Sequence, residues 1–131
     1  MNYKSNIGYR KELLTRLLET IIVHENEIIS ALKADFNKPE FEAVVTETSY
    51  VISDLKHTIK NLSRWAKPKR AFPFIVNIPS SDYIYKEPYG KVLIISPWNY
   101  PFQLALCPLI AAVAAGNQIL LKPSELTPNT A

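Results

Sequence analysis

The sequence predicts an α/β fold in which a helical layer precedes a short β-ribbon and one strand–helix–strand unit. Three observations predict it. Apolar residues recur at helical spacing through the N-terminal half of the chain. Two short apolar runs, Lys91–Ile95 and Gln118–Leu121, flank an almost wholly apolar stretch, Pro101–Ala115. Prolines and glycines stand where these segments would begin or end.

The helical layer is predicted over residues 1–70. Two amphipathic helices are expected at Ile7–Val23 and Glu25–Asp35, with one bent helix as the alternative. A longer helix should begin at Pro39 and end near Ala66, and the three helices would form an antiparallel layer. One face of the third helix is apolar and should pack in the core. The residues of this face are Phe41, Val44, Val45, Thr48, Val51, Ile52, Leu55, Ile59, Leu62 and Trp65.

Residues 71–89 change in character and predict a β-ribbon. Two strands are expected, Phe74–Ile78 and Tyr83–Lys86, joined by a turn at Pro79-Ser80-Ser81-Asp82. A lone two-stranded ribbon is only marginally stable in water. The aromatic and aliphatic side chains of the second strand therefore predict a partner surface.

Residues 90–131 predict a strand, a buried helix and a second strand. Lys91–Ile95 has the β-branched run of a strand covered on both faces. The stretch Pro101–Ala115 should form a helix buried all round and kinked at Pro108. Strands joined by a helix are expected to be parallel, so both following loops lie at one edge of the sheet, where ligands of α/β folds bind.

Polar side chains follow both strands at that edge. They place an amide, an ammonium group and a carboxylate around one crevice. The residues are Ser96 and Asn99 after the first strand, and Lys122, Ser124 and Glu125 after the second.

The motifs at this edge resemble those of the aldehyde dehydrogenase superfamily. They are PWNYP at Pro97–Pro101, the AGN of Ala115–Asn117, and KPSE at Lys122–Glu125. The nearer resemblance is to its class-3-like branch, the fatty and aromatic aldehyde dehydrogenases, and it extends from about Tyr9 to the end of the chain. Because the family's chains are several times longer, the resemblance implies an N-terminal portion without the catalytic domain.

The resemblance also implies a domain organisation. Residues 1–70 would be the helical part of the cofactor-binding domain, and residues 71–89 the ribbon of an oligomerisation sheet. Residues 90–131 would form the first βαβ unit of a Rossmann-like NAD(P)-binding domain. A homodimer formed through the Phe74–Lys86 ribbon is the implied assembly.

The implied activity is oxidation of an aldehyde to a carboxylic acid through a thiohemiacetal, with NAD or NADP as cofactor. Asn99 matches the family's asparagine that donates to the oxyanion, a role in which a fixed donor stabilises developing charge. Lys122 and Glu125 match the pair that holds the adenosine ribose hydroxyls, and a carboxylate there would weakly favour NAD over NADP. The residues expected to line the cofactor cleft are Ile95, Ser96 and Trp98.

Each of these residues has a simpler interpretation. Asn99 would bond its own backbone in a turn, as asparagines between prolines often do. Lys122 and Glu125 would form a surface ion pair of little energetic value. Ser124 would cap a helix, and Trp98 would be a core residue. As a whole, the chain would then be a non-catalytic, truncated association module of the same fold.

The remaining candidate groups predict no further chemistry. Cys107 lies in the middle of an apolar helix, where a thiol behaves as a small hydrophobe and not as a nucleophile. The resemblance places the nucleophilic cysteine and the general base downstream. His24 and His57 have no third ligand nearby, so no metal is expected. The three glycines, at positions 8, 90 and 116, cannot form a phosphate-binding loop.

Composition restricts the class of partner and the compartment. A net charge of +3 with interspersed acids does not predict nucleic-acid binding. One cysteine excludes an internal disulfide and favours a reducing compartment. The longest apolar stretch, Phe102–Ala115, is too short to cross a bilayer, and the N-terminus lacks a signal sequence. A cytoplasmic protein is therefore expected, while a C-terminal anchor would not be visible in this sequence.

Overall fold

The structure, a computed structural model, describes residues 6–131 as helices packed on a two-stranded parallel sheet, with a separate antiparallel ribbon. The helices are α1 (Ile7–Val23), α2 (Glu25–Phe36), α3 (Glu40–Ala43), α4 (Ser49–Trp65) and α5 (Pro101–Ala115). A π-helical segment, Val44–Thr48, joins α3 to α4 without a break.

The separation of α1 from α2 confirms the two-helix prediction. Asn6 caps α1, because its side-chain oxygen accepts from the backbone N–H of Tyr9 at 3.2 Å. Asn37 ends α2 in the left-handed conformation, with φ of 52°, which asparagine tolerates better than most residues.

The core lies where α1, α4 and α5 meet. Apolar side chains from these three helices form one buried cluster, to which α5 contributes only one residue. The cluster consists of Leu14, Ile21, Val51, Leu55, Leu62 and Ile110. The helical layer therefore covers α5 on one side, and the other side of α5 packs on the sheet.

The predicted apolar face of the third helix is wrong at two positions. Phe41 is 80% exposed and Val45 is also exposed, whereas Ala43, Glu47 and Thr48 are buried. The reason is the π-helical segment, which has more residues per turn than an α-helix and shifts the phase of the face. Regular spacing resumes in α4, where Val51 and Leu55 are fully buried.

The ribbon pairs differently from the prediction. Its strands are β1 (Lys69–Ala71) and β2 (Asp82–Ile84), which are antiparallel with Lys69 opposite Ile84. The predicted strand Phe74–Ile78 is wrong, because Ile75–Asn77 forms a 3₁₀ turn. Pro73 and Pro79 bracket this segment, and prolines lack the N–H that a strand interior needs. The ribbon thus begins inside the predicted helical region.

The parallel strand–helix–strand prediction is confirmed. The strands β3 (Lys91–Ile95) and β4 (Gln118–Lys122) are parallel, and α5 connects them. Lys122 is the last residue of β4, so this strand is one residue longer than predicted. Gly116 ends α5 with φ of 90°, a conformation that favours glycine.

Burial of this unit is less complete than predicted. One face of the sheet is open within this chain, since Leu93, Ile95 and Leu120 are each more than half exposed. The helix α5 continues through Pro108, and only Pro101, Ala105, Ile110 and Ala112 of its residues are buried. The helical layer is too small to surround α5. Within residues 6–131, no helix is both long and apolar enough to cross a membrane.

Candidate functional site

The candidate site is the carboxyl edge of the parallel sheet, which we define as the loop 96–100 after β3 and the segment 123–131 after β4. Ile95 and Lys122 are paired at the ends of the two strands. The backbone N–H of Ser96 donates to the Lys122 carbonyl oxygen at 3.1 Å. Both chain segments therefore leave the sheet side by side, as the sequence predicts.

Lys122 and Glu125 contact each other at this edge. The Lys122 Nζ donates to Glu125 Oε2 at 2.6 Å, and both side chains are largely exposed. The hydrogen bond from Lys122 holds the pKa of the Glu125 carboxyl below its usual range. A hydrogen bond from its own backbone N–H acts in the same direction, so the carboxylate is charged at neutral pH.

Asn99 lies exposed on the loop 96–100. Among residues 6–131 its amide has no hydrogen-bond partner, so the alternative in which it bonds its own backbone is not observed. Ser96, one residue past the last paired position, is buried, and within the same range its Oγ has no partner. The amide of Asn99 is thus free to bind a group from outside this chain.

The aromatic residues of the loop 96–100 pack against the end of α2. The Trp98 ring stacks on Phe36, with centroids 6.4 Å apart and an interplanar angle of 30°. The Lys38 ammonium lies over the Tyr100 ring, 4.4 Å from its centroid. Trp98 remains half exposed and Ile95 more so, and both therefore offer apolar surface at the edge.

Asp35, also near the end of α2, holds the other segment of the edge. One carboxylate oxygen accepts from the backbone N–H and side-chain amide of Asn129, at 3.1 and 2.8 Å. The second oxygen accepts from the backbone N–H and hydroxyl of Thr130, at 2.9 and 2.6 Å. Partial burial opposes ionisation, but these four hydrogen bonds outweigh it and lower the pKa of Asp35. The end of α2 therefore anchors both segments of the carboxyl edge.

Glu47, in the π-helical segment, forms the most buried polar contact near the edge. Its Oε1 accepts from the Lys38 ammonium at 2.6 Å, with the lysine 7% and the glutamate 0% exposed. Its Oε2 accepts from the backbone N–H of Gln103 at 2.9 Å, in the first turn of α5. The carboxylate therefore joins the connection between α2 and α3, the π-helical segment and α5.

Sequence analysis missed the contributions of Asp35, Phe36, Lys38 and Glu47. For Glu47 a signal exists, because it falls three residues after Val44 and four before Val51 and so shares their helical face. A charged residue on an apolar face needs a buried partner. No comparable local signal marks Asp35 or Phe36, since their partners are 62 or more positions away in the chain (Trp98, Asn129 and Thr130).

Cys107 lies inside α5 and is poorly suited to nucleophilic attack. Burial raises the pKa of its thiol to about 11, and the neighbouring Asp54 carboxylate adds to the effect by charge and by hydrogen bonding. Thiolate is the reactive form, so this cysteine is almost wholly protonated at neutral pH. Within the described range, residues 6–131, no three side chains form a metal-binding group.

Comparison with known proteins decides the family. The model of the Aldehyde dehydrogenase family matches residues 3–131. The chain belongs to the aldehyde dehydrogenase family. It is 47% identical over 126 residues to the 4,4'-diaponeurosporen-aldehyde dehydrogenase of Staphylococcus aureus, covering 96% of this chain and 28% of that protein. A fatty aldehyde dehydrogenase of Saccharomyces cerevisiae is 41% identical, covering 98% of this chain and 24% of its own.

Class-3 aldehyde dehydrogenases are among the relatives, as the sequence motifs predicted. A family 3 member from Arabidopsis thaliana is 44% identical over 118 residues, which is 88% of this chain and 24% of that protein. The chain spans about a quarter of the length of the relatives it matches. These relatives are oxidoreductases, and this chain corresponds to one part of them.

Solved structures confirm the α/β fold of this part. A substrate-bound aldehyde dehydrogenase from Staphylococcus aureus superimposes with a TM-score of 0.93 at 46% identity, covering 97% of this chain and 28% of its own. An NAD+ complex of an aldehyde dehydrogenase from Bacillus cereus superimposes with a TM-score of 0.81 at 27% identity, covering 94% of this chain and 24% of its own.

Proposed function

We propose that this chain is the N-terminal, cofactor-binding part of an NAD(P)-dependent aldehyde dehydrogenase that oxidises an aldehyde to a carboxylic acid through a thiohemiacetal. One observation carries the proposal. An exposed, unpartnered Asn99 amide and a Lys122–Glu125 pair stand at the same edge of a parallel sheet. Ligands of such sheets bind at that edge. The family relationship supplies the reaction class.

Asn99 is proposed to bind the oxyanion. When a thiolate attacks an aldehyde carbon, negative charge develops on the carbonyl oxygen. An amide N–H fixed beside that oxygen stabilises the charge, and removing one such donor costs about a hundredfold or more in rate. The amide suits the role because it is a neutral donor that no group of residues 6–131 occupies.

Lys122 and Glu125 are proposed to hold the ribose of the cofactor, which supplies the hydride acceptor of the reaction. A ribose diol offers two donors and several acceptors, which an ammonium group and a carboxylate complement. The residues fit this ligand, because both side chains of the pair are largely exposed at the edge. Exposed Ile95 and Trp98, with Ser96 between the two loops, would line the cleft.

The nucleophile of the proposed reaction lies outside these 131 residues. Cys107 is the single cysteine of the chain, and its pKa of about 11 makes it unsuitable. The thiolate, the general base and most of the substrate pocket would therefore come from another part of the enzyme. This chain would contribute the oxyanion donor and one wall of the cofactor cleft.

For the substrate we propose a chemical class of aldehyde, and for the cofactor a preference between NAD and NADP. Relatives named for 4,4'-diaponeurosporen-aldehyde and for fatty aldehyde favour a long apolar aldehyde. NAD is favoured over NADP, because the charged Glu125 would repel a 2′-phosphate. A relative from Canis lupus familiaris, 39% identical over 95% of this chain and 28% of that protein, is named dimeric and NADP-preferring, so NADP remains the alternative.

A homodimer formed through the ribbon, in the cytoplasm, completes the proposal. Apolar side chains of the ribbon region are exposed in this chain, including Phe72, Phe74 and Val76. Exposed apolar patches of this kind mark interaction surfaces. The same surface favours the second candidate function, a non-catalytic module that only associates.

Asn99→Ala, made in a full-length enzyme that contains this chain, tests the catalytic proposal. We expect kcat to fall by about a hundredfold or more while cofactor affinity is nearly unchanged. Asn26→Ala, at an exposed asparagine of α2, is the matched control and should leave kcat unchanged. A turnover unaffected by Asn99→Ala, with the acyl-forming step shown to limit the rate, would exclude the oxyanion role.

A further inference from the structure

The Glu47 side chain is fully buried and contacts the Lys38 ammonium, and the proposed reaction steps do not use it. Burying an ion pair such as Lys38–Glu47 costs desolvation that its attraction often fails to repay. Such a pair is therefore weak evidence for stability. The pair lies next to the loop 96–100, so its role is to be sought in the structure of that loop rather than in overall stability.

Glu47 supplies the hydrogen-bond acceptor that the start of α5 lacks. The first N–H groups of a helix have no partner within the helix. Tyr100, at the N-cap position of α5, offers no side-chain cap, and Pro101 follows it. The Oε2 of Glu47 accepts from the Gln103 N–H instead, and a carboxylate at this position also interacts favourably with the helix dipole.

The same contact fixes one end of the loop that carries Asn99. At its beginning the loop is held by the hydrogen bond from the Ser96 N–H to Lys122. At its end it is held by the bond between Glu47 and Gln103, and Lys38 lies over the Tyr100 ring. The side chain of Asn99 itself forms no hydrogen bond within residues 6–131. Its position therefore depends on the two ends.

The π-helical segment is what places Glu47 there. A π turn brings consecutive residues closer to the same face, and such turns are rare and concentrated at functional sites. In Val44–Thr48 it buries both Glu47 and Thr48. The Thr48 hydroxyl donates to Glu25, the first residue of α2, at 2.5 Å, which holds the segment against the start of α2.

We propose that Glu47 is a positioning residue that, with Lys38, fixes the start of α5 and so sets the position of the Asn99 amide. The inference rests on the proposed oxyanion role of Asn99. Displacing a catalytic group by about 1 Å is enough to cost a hundredfold in rate, so the loss of the anchor at Gln103, three residues past the loop, has a measurable effect.

Glu47→Gln in the full-length enzyme is the primary test. The two donors bond different oxygens of Glu47, and glutamine keeps an oxygen at only one of these positions, so its NH₂ group would face either the Lys38 ammonium or the Gln103 N–H. We expect kcat to fall by about tenfold or more. Hydrogen exchange at the Gln103 amide should become faster. Glu42→Gln, which removes the same charge from an exposed position five residues earlier, is the control and should change neither.

A second substitution separates positioning from damage to the core. Lys38→Met removes the competing donor and keeps an unbranched side chain against Tyr100. In the Lys38→Met/Glu47→Gln variant the amide oxygen accepts from Gln103 alone. We expect most of kcat and the slow exchange at Gln103 to return. A double variant as slow as Glu47→Gln would overturn the proposal.

A double-mutant cycle with Asn99 decides whether the effect acts through that residue. In an Asn99→Ala background, Glu47→Gln should lower kcat by less than about twofold, because the group to be positioned is gone. An equal loss in both backgrounds would overturn the positioning role while leaving the oxyanion role intact. A normal kcat for Asn99→Ala itself would overturn both the oxyanion role and the positioning role. The failure of one proposal can therefore be told from the failure of the other.

Discussion

The carboxyl edge and the ribbon region, residues 69–89, differ in what holds them in place. At the edge, five consecutive residue pairs join β3 and β4, and α2 anchors both following segments through Asp35, Phe36 and Lys38. In the ribbon region each strand has three residues. Lys86 donates a hydrogen bond to the Trp65 carbonyl oxygen of the helical layer at 3.1 Å. The edge is stabilised within the chain, whereas the ribbon region presents apolar surface to whatever covers it.

This difference indicates separate tasks. A binding site needs groups held at fixed positions before the ligand arrives. An association surface needs exposed apolar area that a partner buries. The edge fulfils the first requirement and the ribbon region the second.

The largest expected effect concerns association of residues 1–131 when they are purified alone. We expect no stable monomer, because each exposed Å² of apolar surface that a partner would bury is worth about 25 cal/mol. Light scattering should show oligomers or aggregates, and a thermal melt should lack a cooperative monomeric transition. No oxidation of a medium-chain aldehyde with NAD is expected.

Two sets of substitutions then identify the surface responsible. Phe74→Glu with Val76→Glu charges the ribbon region, and Leu93→Glu with Leu120→Glu charges the open face of the sheet. More apolar residues are exposed in the ribbon region than on the sheet, so the first pair should lower the scattering mass further. A monomeric wild-type fragment with a cooperative melt would contradict the folding expectation. NADH production abolished by Cys107→Ser would contradict the inference that the nucleophile lies elsewhere.

The same two regions show how far the sequence determines the fold. The unit Lys91–Lys122 was predictable because short apolar runs, a helix and the rule for parallel connections specify it locally. The pairing of β1 with β2 was not predicted, since ten residues separate Ala71 from Asp82 and the most apolar run between them forms a turn. The site residues were found by motif. The supporting residues Asp35 and Glu47 bond residues that are distant in the chain, and a local sequence pattern does not identify these partners.

Glu125→Gln tests whether the carboxyl edge binds a nucleotide, in a full-length enzyme that contains this chain. The substitution removes the charge that would repel a 2′-phosphate and releases the Lys122 ammonium to pair with it. We expect NAD to bind more weakly and the ratio of NAD to NADP affinity to fall by about tenfold. Titration of both cofactors by fluorescence gives the ratio. Glu40→Gln, at an exposed glutamate of α3, is the control, and an unchanged ratio for Glu125→Gln would place this residue away from the ribose.

The smallest expected effect concerns Asp35, which anchors the segment after β4. Asp35→Asn keeps the shape but weakens the bonds to the Asn129 and Thr130 N–H groups, by about 1 kcal/mol as for a lost helix cap. Hydrogen exchange at these two amides in the full-length enzyme should therefore speed up by about fivefold. Asp82→Asn, in the ribbon, should leave both amides unchanged, because Asp82 bonds only Ser80 among the side chains of residues 6–131.

The lowered pKa of Asp35 determines how its effect on the protection of the two amides changes with pH. The folded structure lowers the pKa of Asp35 below its ordinary value of 3.8, so the carboxylate contributes fully above that value. Its contribution is lost as the pH falls through the lowered pKa. The difference in protection between wild type and Asp35→Asn should therefore be constant from about pH 5 to pH 7 and shrink below about pH 3. A difference that persists unchanged in acid would mean that the charge of Asp35 does not hold this segment, and the carboxyl edge would then be no better anchored there than the ribbon.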